Sequence, residues 1–154
     1  MVDRTTRDVD IVAQTVRPGE LTSLTRPAEP LPRALTVAIE QVGRDFGLPV
    51  NWLNTGPAKQ WDIGLPNGFS TRVIWHTYDG LDVGIASQID LVFFKLKAAA
   101  DQPTSNSRHF RDLVAIAPTD EALEAAIQWA RLKNVGTDYH NIIARVAEHV
   151  RNAR

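Results

Sequence analysis

Arg7-Asp8-Val9-Asp10-Ile11-Val12-Ala13 is the stretch on which the fold turns. Val9, Ile11, Val12 and Ala13 read as a short buried strand, a setting that suits β-branched residues. Residues two apart on a strand face the same side. Asp8 and Asp10 therefore set two carboxylates about 7 Å apart at the strand's mouth. Paired oxygen donors suit a hard cation such as Mg2+, which in turn binds phosphates and activates a hydroxyl for in-line attack. The same pair also reads as two solvated surface acids. The residues by themselves leave both readings open.

Downstream of this strand, residues 15–30 carry Pro18, Gly19, Pro27 and Pro30 among polar side chains and read as a long loop. Pro32 opens a helix to about Phe46, with Leu35, Ala38, Ile39, Val42 and Phe46 at helical spacing and Gly47 at its end. Residues 51–54 read as a single helical turn. Two strands follow, Thr71–Tyr78 and Leu81–Ala86, joined by the two-residue hairpin signal Asp79-Gly80. Ser87 caps a helix through Asp101 that is apolar nearly all round and is expected to be buried. Three more helices are expected. One spans Arg108–Ile116, one starts at Pro118-Thr119-Asp120-Glu121, and one is capped by Asp138. The order predicts an α+β fold, a small mixed sheet backed by helices with a helical C-terminal part.

The bulk properties narrow the function classes. The 154 residues suit one domain over 1–154, with 44% hydrophobic and 23% charged residues. A net charge of −1 gives no general pull on nucleic acid or anionic lipid. The absence of cysteine removes disulfides, thiolate zinc sites and Cys nucleophiles, and fits a cytoplasmic location. The polar start and the short, charge-broken apolar run Ile89–Ala100 argue against a signal peptide and a membrane span.

Other residues have chemical potential. Asp82, on the hairpin, and Asp90, at the start of the apolar helix, are alternative third carboxylates for a metal site. Asp82 also reads as a solvent-facing strand residue, and Asp90 as a first-turn acid. Lys95 and Lys97 lie inside an apolar helix, where a lysine must find a partner, meet an anion or reach the surface. Arg108, His109, Arg111 and Asp112 form a dense polar cluster. His109 and Asp112 share a helix face and admit a dyad, with a structural ion-pair cluster the stronger reading. The four tryptophans, Trp52, Trp61, Trp75 and Trp129, read as core or loop anchors.

Taken in order, several segments resemble a known group. They are Arg4-Thr5-Thr6-Arg7-Asp8-Val9-Asp10-Ile11-Val12, Trp52-Leu53-Asn54-Thr55-Gly56-Pro57 and Gly64-Leu65-Pro66-Asn67-Gly68-Phe69. Asp90-Leu91 leading to Lys95-Leu96-Lys97-Ala98-Ala99 and Arg108-His109 to Asp112-Leu113 with Ala117-Pro118-Thr119 complete the set. The chain is similar to the polymerase-beta-like nucleotidyltransferase superfamily, in particular to bacterial proteins related to the AbiEii-type toxins. The resemblance implies a nucleotidyltransferase-like fold and Mg2+ with a nucleoside triphosphate held at Asp8 and Asp10. It further implies that Lys95 lies near the phosphates, with Arg108 and Asp112 beside the nucleotide. Its activity would be transfer of a nucleoside monophosphate to RNA or protein, within a toxin–antitoxin pair. The family pattern also has a Gly-rich helix ahead of the Asp-x-Asp pair, whereas Asp8 stands seven residues after Met1. Either the start lies upstream or that segment has been lost. The second case implies an inactive binding or regulatory protein, with an uncovered sheet face that invites a homo-oligomer.

Overall fold

The structure is a computed structural model that describes residues 8–15, 24–104 and 107–154. Two compact units divide the chain, one running up to Leu65 and one from Pro66 to Arg154. The class is α+β, with seven α-helices and three strand pairs among the described residues. The strands form these separate pairs instead of a single mixed sheet.

The first unit begins with β1 (Val9–Asp10) and β2 (Ala13–Thr15), so the expected continuous strand is broken at Ile11-Val12. Val9 is 47% exposed, not buried. β3 (Leu24–Pro27) follows, then α1 (Arg33–Asp45), β4 (Leu53–Asn54), a 3-10 turn at Gly56–Ala58 and α2 (Lys59–Ile63). The expected loop over 15–30 thus contains a strand, while Pro18 and Gly19 lie outside the described residues. β3 pairs antiparallel with β2, Gln14 opposite Arg26, and the register shifts after Gln14. Prolines at 27 and 30 offer carbonyls but no N–H. The Gln14 amide nitrogen lies 3.2, 2.6 and 2.9 Å from the carbonyl oxygens of Pro27, Ala28 and Pro30 and so holds this segment.

Residues 51–54, expected as a helical turn, include β4, which pairs parallel with β1. Val9 lies opposite Leu53 and Asp10 opposite Asn54. The Val9 and Ile11 N–H groups donate to the carbonyls of Trp52 (2.6 Å) and Asn54 (2.9 Å). These long-range ladder bonds overrode the local preference. Trp52 also ties this pair to α1, its indole N–H donating to the Ile39 carbonyl at 3.1 Å.

The second unit opens with α3 (Phe69–Arg72), which takes Thr71 and Arg72 out of the expected strand. Gly68, in the left-handed region at φ 73°, starts this helix. The hairpin of β5 (Ile74–Tyr78) and β6 (Leu81–Ile85) turns at Asp79-Gly80 as the sequence predicts. Then come α4 (Gln88–Asp101), α5 (Arg108–Ile116), α6 (Asp120–Lys133) and α7 (Thr137–Ala153). Ser87, Ser107 and Thr119 cap the first three, each accepting a backbone N–H from three residues on. Gly136, not Asp138, is the N-cap of α7, and Asp138 sits in its first turn.

α4 packs against α5, α6 and α7 around one core. Leu96, Leu113, Leu123, Ile143 and Val150 are fully buried there. Each such side chain contributes about 1.5–3 kcal/mol relative to exposure. α4 is buried along Val92, Phe93, Leu96, Ala99 and Ala100, whereas Ile89 and Leu91 near its start are exposed. Among the described residues no helix is long and apolar enough to cross a membrane.

Candidate functional site

β1 holds the second acid of the Asp-x-Asp pair, and the first stands just ahead of the strand. Asp10 ends the strand and is exposed, and Asp8 precedes it and is partly buried. The parallel register sets Asn54 directly beside Asp10. The Asn54 side-chain NH2 donates to Asp10 Oδ1 at 2.6 Å, and Asn54 Oδ1 accepts the Gly56 N–H at 2.9 Å. One residue on, the Thr55 hydroxyl donates to the Glu29 carboxylate. Carboxylate oxygens are the donor type that a hard cation takes. Mg2+ keeps several waters and commonly takes one or two carboxylates, with phosphate oxygens filling further positions. Among the described residues, no group of three or more acidic, His or Cys side chains converges.

The remaining candidates all belong to the second unit. Asp82 lies on β6, where its carboxylate accepts the hydroxyl of Thr77 across the hairpin at 2.6 Å. Asp90 is fully buried and already compensated. Arg72 Nε reaches both of its oxygens at 3.1 and 3.3 Å, a second guanidinium nitrogen also donates, and Ser87 Oγ lies 2.5 Å away. A carboxylate so engaged holds α3 to α4 and has little capacity left for a cation.

Lys95 and Asp112 are brought together. The Lys95 ammonium donates to Asp112 Oδ2 at 2.7 Å, with side chains 23% and 19% exposed. This pairing is how an apolar helix tolerates the lysine. Lys97 uses the other solution, an ion pair one turn along with Asp101 at 2.7 Å. Arg108 and His109 begin α5, one turn ahead of Asp112. The ion pair with Lys95 places Asp112 in a structural cluster, and the same ammonium remains partly accessible to an anion.

The aromatic anchors follow the sequence reading at two positions. Trp129 is buried edge-on to Phe93 and Phe94, and Trp52 is bonded to α1. Two titrations outside these residues have clear causes. Burial, then the Asp101 charge, pushes the Tyr139 hydroxyl up to about 12. A hydrogen bond from Arg154 is the main cause holding the Asp120 carboxyl below its ordinary value.

Sequence reasoning missed Asn54 and Arg72 as partners of the acids. Asn54-Thr55-Gly56 carries a local signal, an Asx turn closed on a glycine N–H, but its contact with Asp10 spans 44 residues. Arg72 was hidden by its placement in a strand. No family model, curated protein or solved structure matches the chain.

Proposed function

We propose that this chain is an Mg2+-dependent nucleotidyltransferase of the toxin–antitoxin type, acting in the cytoplasm on RNA or protein. The observation that carries the reading is the Asp10 carboxylate, fixed on a two-residue strand by a neutral amide, with Asp8 two residues before it. A neutral partner orients the acid without cancelling its charge. Asp8 and Asp10 would hold the cation, which when bound polarises the triphosphate. The acceptor hydroxyl forms a bond to the α-phosphorus as the bond to pyrophosphate breaks, and the hydroxyl proton leaves to solvent. The resemblance assigns phosphate contacts to Lys95 and Arg108, and Lys95 would have to exchange Asp112 for a phosphate oxygen.

Calorimetric titration with Mg2+ and each nucleoside triphosphate tests the reading, alongside a variant carrying Asp8→Ala and Asp10→Ala. Metal-dependent binding present in the wild type and lost in the variant supports it. Nucleotide transfer that survives both substitutions sinks it.

A second reading, a catalytically inactive binding or regulatory protein, is favoured by the hairpin. Ile74, His76, Tyr78, Leu81, Val83 and Ile85 share one of its faces by register. The five apolar members are 36–60% exposed. Six neighbouring side chains on one hairpin face, five of them apolar, make a contiguous patch of the kind that seats a partner. A second copy of the chain, offering the same face about a two-fold axis, is the simplest occupant. Sedimentation showing a dimer that Val83→Glu dissociates supports this reading. A monomer at all concentrations argues against it.

A further inference from the structure

We infer that Asn54 is a positioning residue for the metal-binding acid Asp10, an inference that rests on the cation-binding reading above. The Asn54 amide touches two groups of fixed hydrogen-bonding character. A backbone N–H only donates and an ionised carboxylate only accepts. Asn54 Oδ1 must therefore face the Gly56 N–H at 2.9 Å, and Nδ2 must face Asp10 Oδ1 at 2.6 Å. Both ends of the amide are engaged, which leaves it one orientation.

This arrangement is built into the backbone. Asp10 and Asn54 are register partners on parallel strands, and the ladder bonds from Val9 and Ile11 bracket them. Gly56 then approaches so closely that a Cβ there would lie 3.0 Å from Asn54 Oδ1. The chain from Leu53 to Gly56 thus closes round the amide and aims it at the acid.

The chemistry of the donor decides what this does. A lysine or arginine at this position would neutralise Asp10 and compete with a cation. An amide fixes one carboxylate oxygen, restricts the rotation of the group and leaves its charge in place. Hydrogen-bonded partners that orient a metal-binding carboxylate typically account for about 10–100-fold in metal affinity. Asn54 therefore acts through Asp10, and touches neither cation nor nucleotide itself.

Mn2+ serves as the probe, with free ion counted by electron paramagnetic resonance on the full chain. The wild type, Asp10→Ala, Asn54→Ala and Asn54→Ser are compared, and a thermal melt reports folding. Binding is expected to be lost in Asp10→Ala. A folded Asn54→Ala is expected to bind about tenfold more weakly, and Asn54→Ser is expected to fall between it and the wild type. Wild-type affinity in a folded Asn54→Ala protein overturns the inference alone. No Mn2+ binding by the wild type overturns the cation reading beneath it.

A second measurement needs no substitution at Asn54. The side-chain amide resonances of Asn54 are followed by nuclear magnetic resonance in metal-free wild type and in Asp10→Ala. A large shift and faster proton exchange in Asp10→Ala are expected. Unchanged resonances would overturn the contact, even if Asn54→Ala failed to fold.

Discussion

Truncating Arg72 would strand a fully buried carboxylate. Asp90 has no exposed side-chain surface, and its charge is met by the guanidinium of Arg72 and the hydroxyl of Ser87. Removing one member of such a pair costs about 3–5 kcal/mol, because the remaining charge stays buried and uncompensated. Arg72→Ala is therefore expected to lower stability by that order, as measured by urea denaturation. Asp90→Asn, which keeps the Ser87 cap geometry and removes the charge, should cost less. A loss below about 1 kcal/mol in Arg72→Ala would show the pair to behave as a surface salt bridge. The same residues show what could be read from sequence at this scale. Asp8, Asp10, Asp90 and Lys95 stood out because acids beside an apolar strand or at the start of an apolar helix, or a lysine within one, break the local pattern, and Asp112 because it shares a helix face with His109. Their partners did not, since Asn54 and Arg72 lie in ordinary polar surroundings in sequence and meet the acids only through chain folding.

At the scale of elements, helices were easier to read than strands, for a physical reason. α4 is apolar nearly all round, α5 to α7 carry an internal apolar period, and three of the four begin at a side-chain cap, so their bounds follow from local chemistry. β1 and β4 are two residues each and exist only through one another. No window centred on either could reveal the other. The β5–β6 hairpin was legible because its turn signal is local. Gly80 there takes φ 77°, with open space where a side chain would stand. Gly84 is constrained differently. A Cβ on it would lie 2.6 Å from Val73 Cγ1 and 3.0 Å from the Trp75 ring. Val73 is β-branched and stiff at χ1, so it cannot swing aside cheaply. Gly84→Ala is expected to cost about 1–3 kcal/mol by overpacking. Tryptophan fluorescence should show an altered Trp75 signal before unfolding. An unchanged spectrum with unchanged stability would mean that the hairpin relaxes freely around the added methyl group.

For the whole molecule, the two units differ in how much they bury. The second unit holds a continuous core from Val92 to Val150, with five large side chains at zero exposure. In the first, the buried hydrophobic residues among those described are Ala28 and Ala58, and α1 has no buried residue at all. Val37, Val42 and Phe46, on or beside α1, are 53%, 36% and 75% exposed. Apolar burial is the main favourable contribution to folding, so local opening should be far cheaper in the first unit. Hydrogen exchange under native conditions is expected to show the slowest amides in α4, α6 and α7, close to the rate set by global unfolding. Amides of α1 should exchange orders of magnitude faster, and urea should release Trp52 before Trp129. Protection of α1 equal to that of α4 would mean that the first unit draws its stability from a surface that covers the open face of α1. A second copy is one such cover, and dilution then separates the cases. Protection that falls with protein concentration would assign the cover to another chain, and protection independent of concentration would assign it to the chain itself.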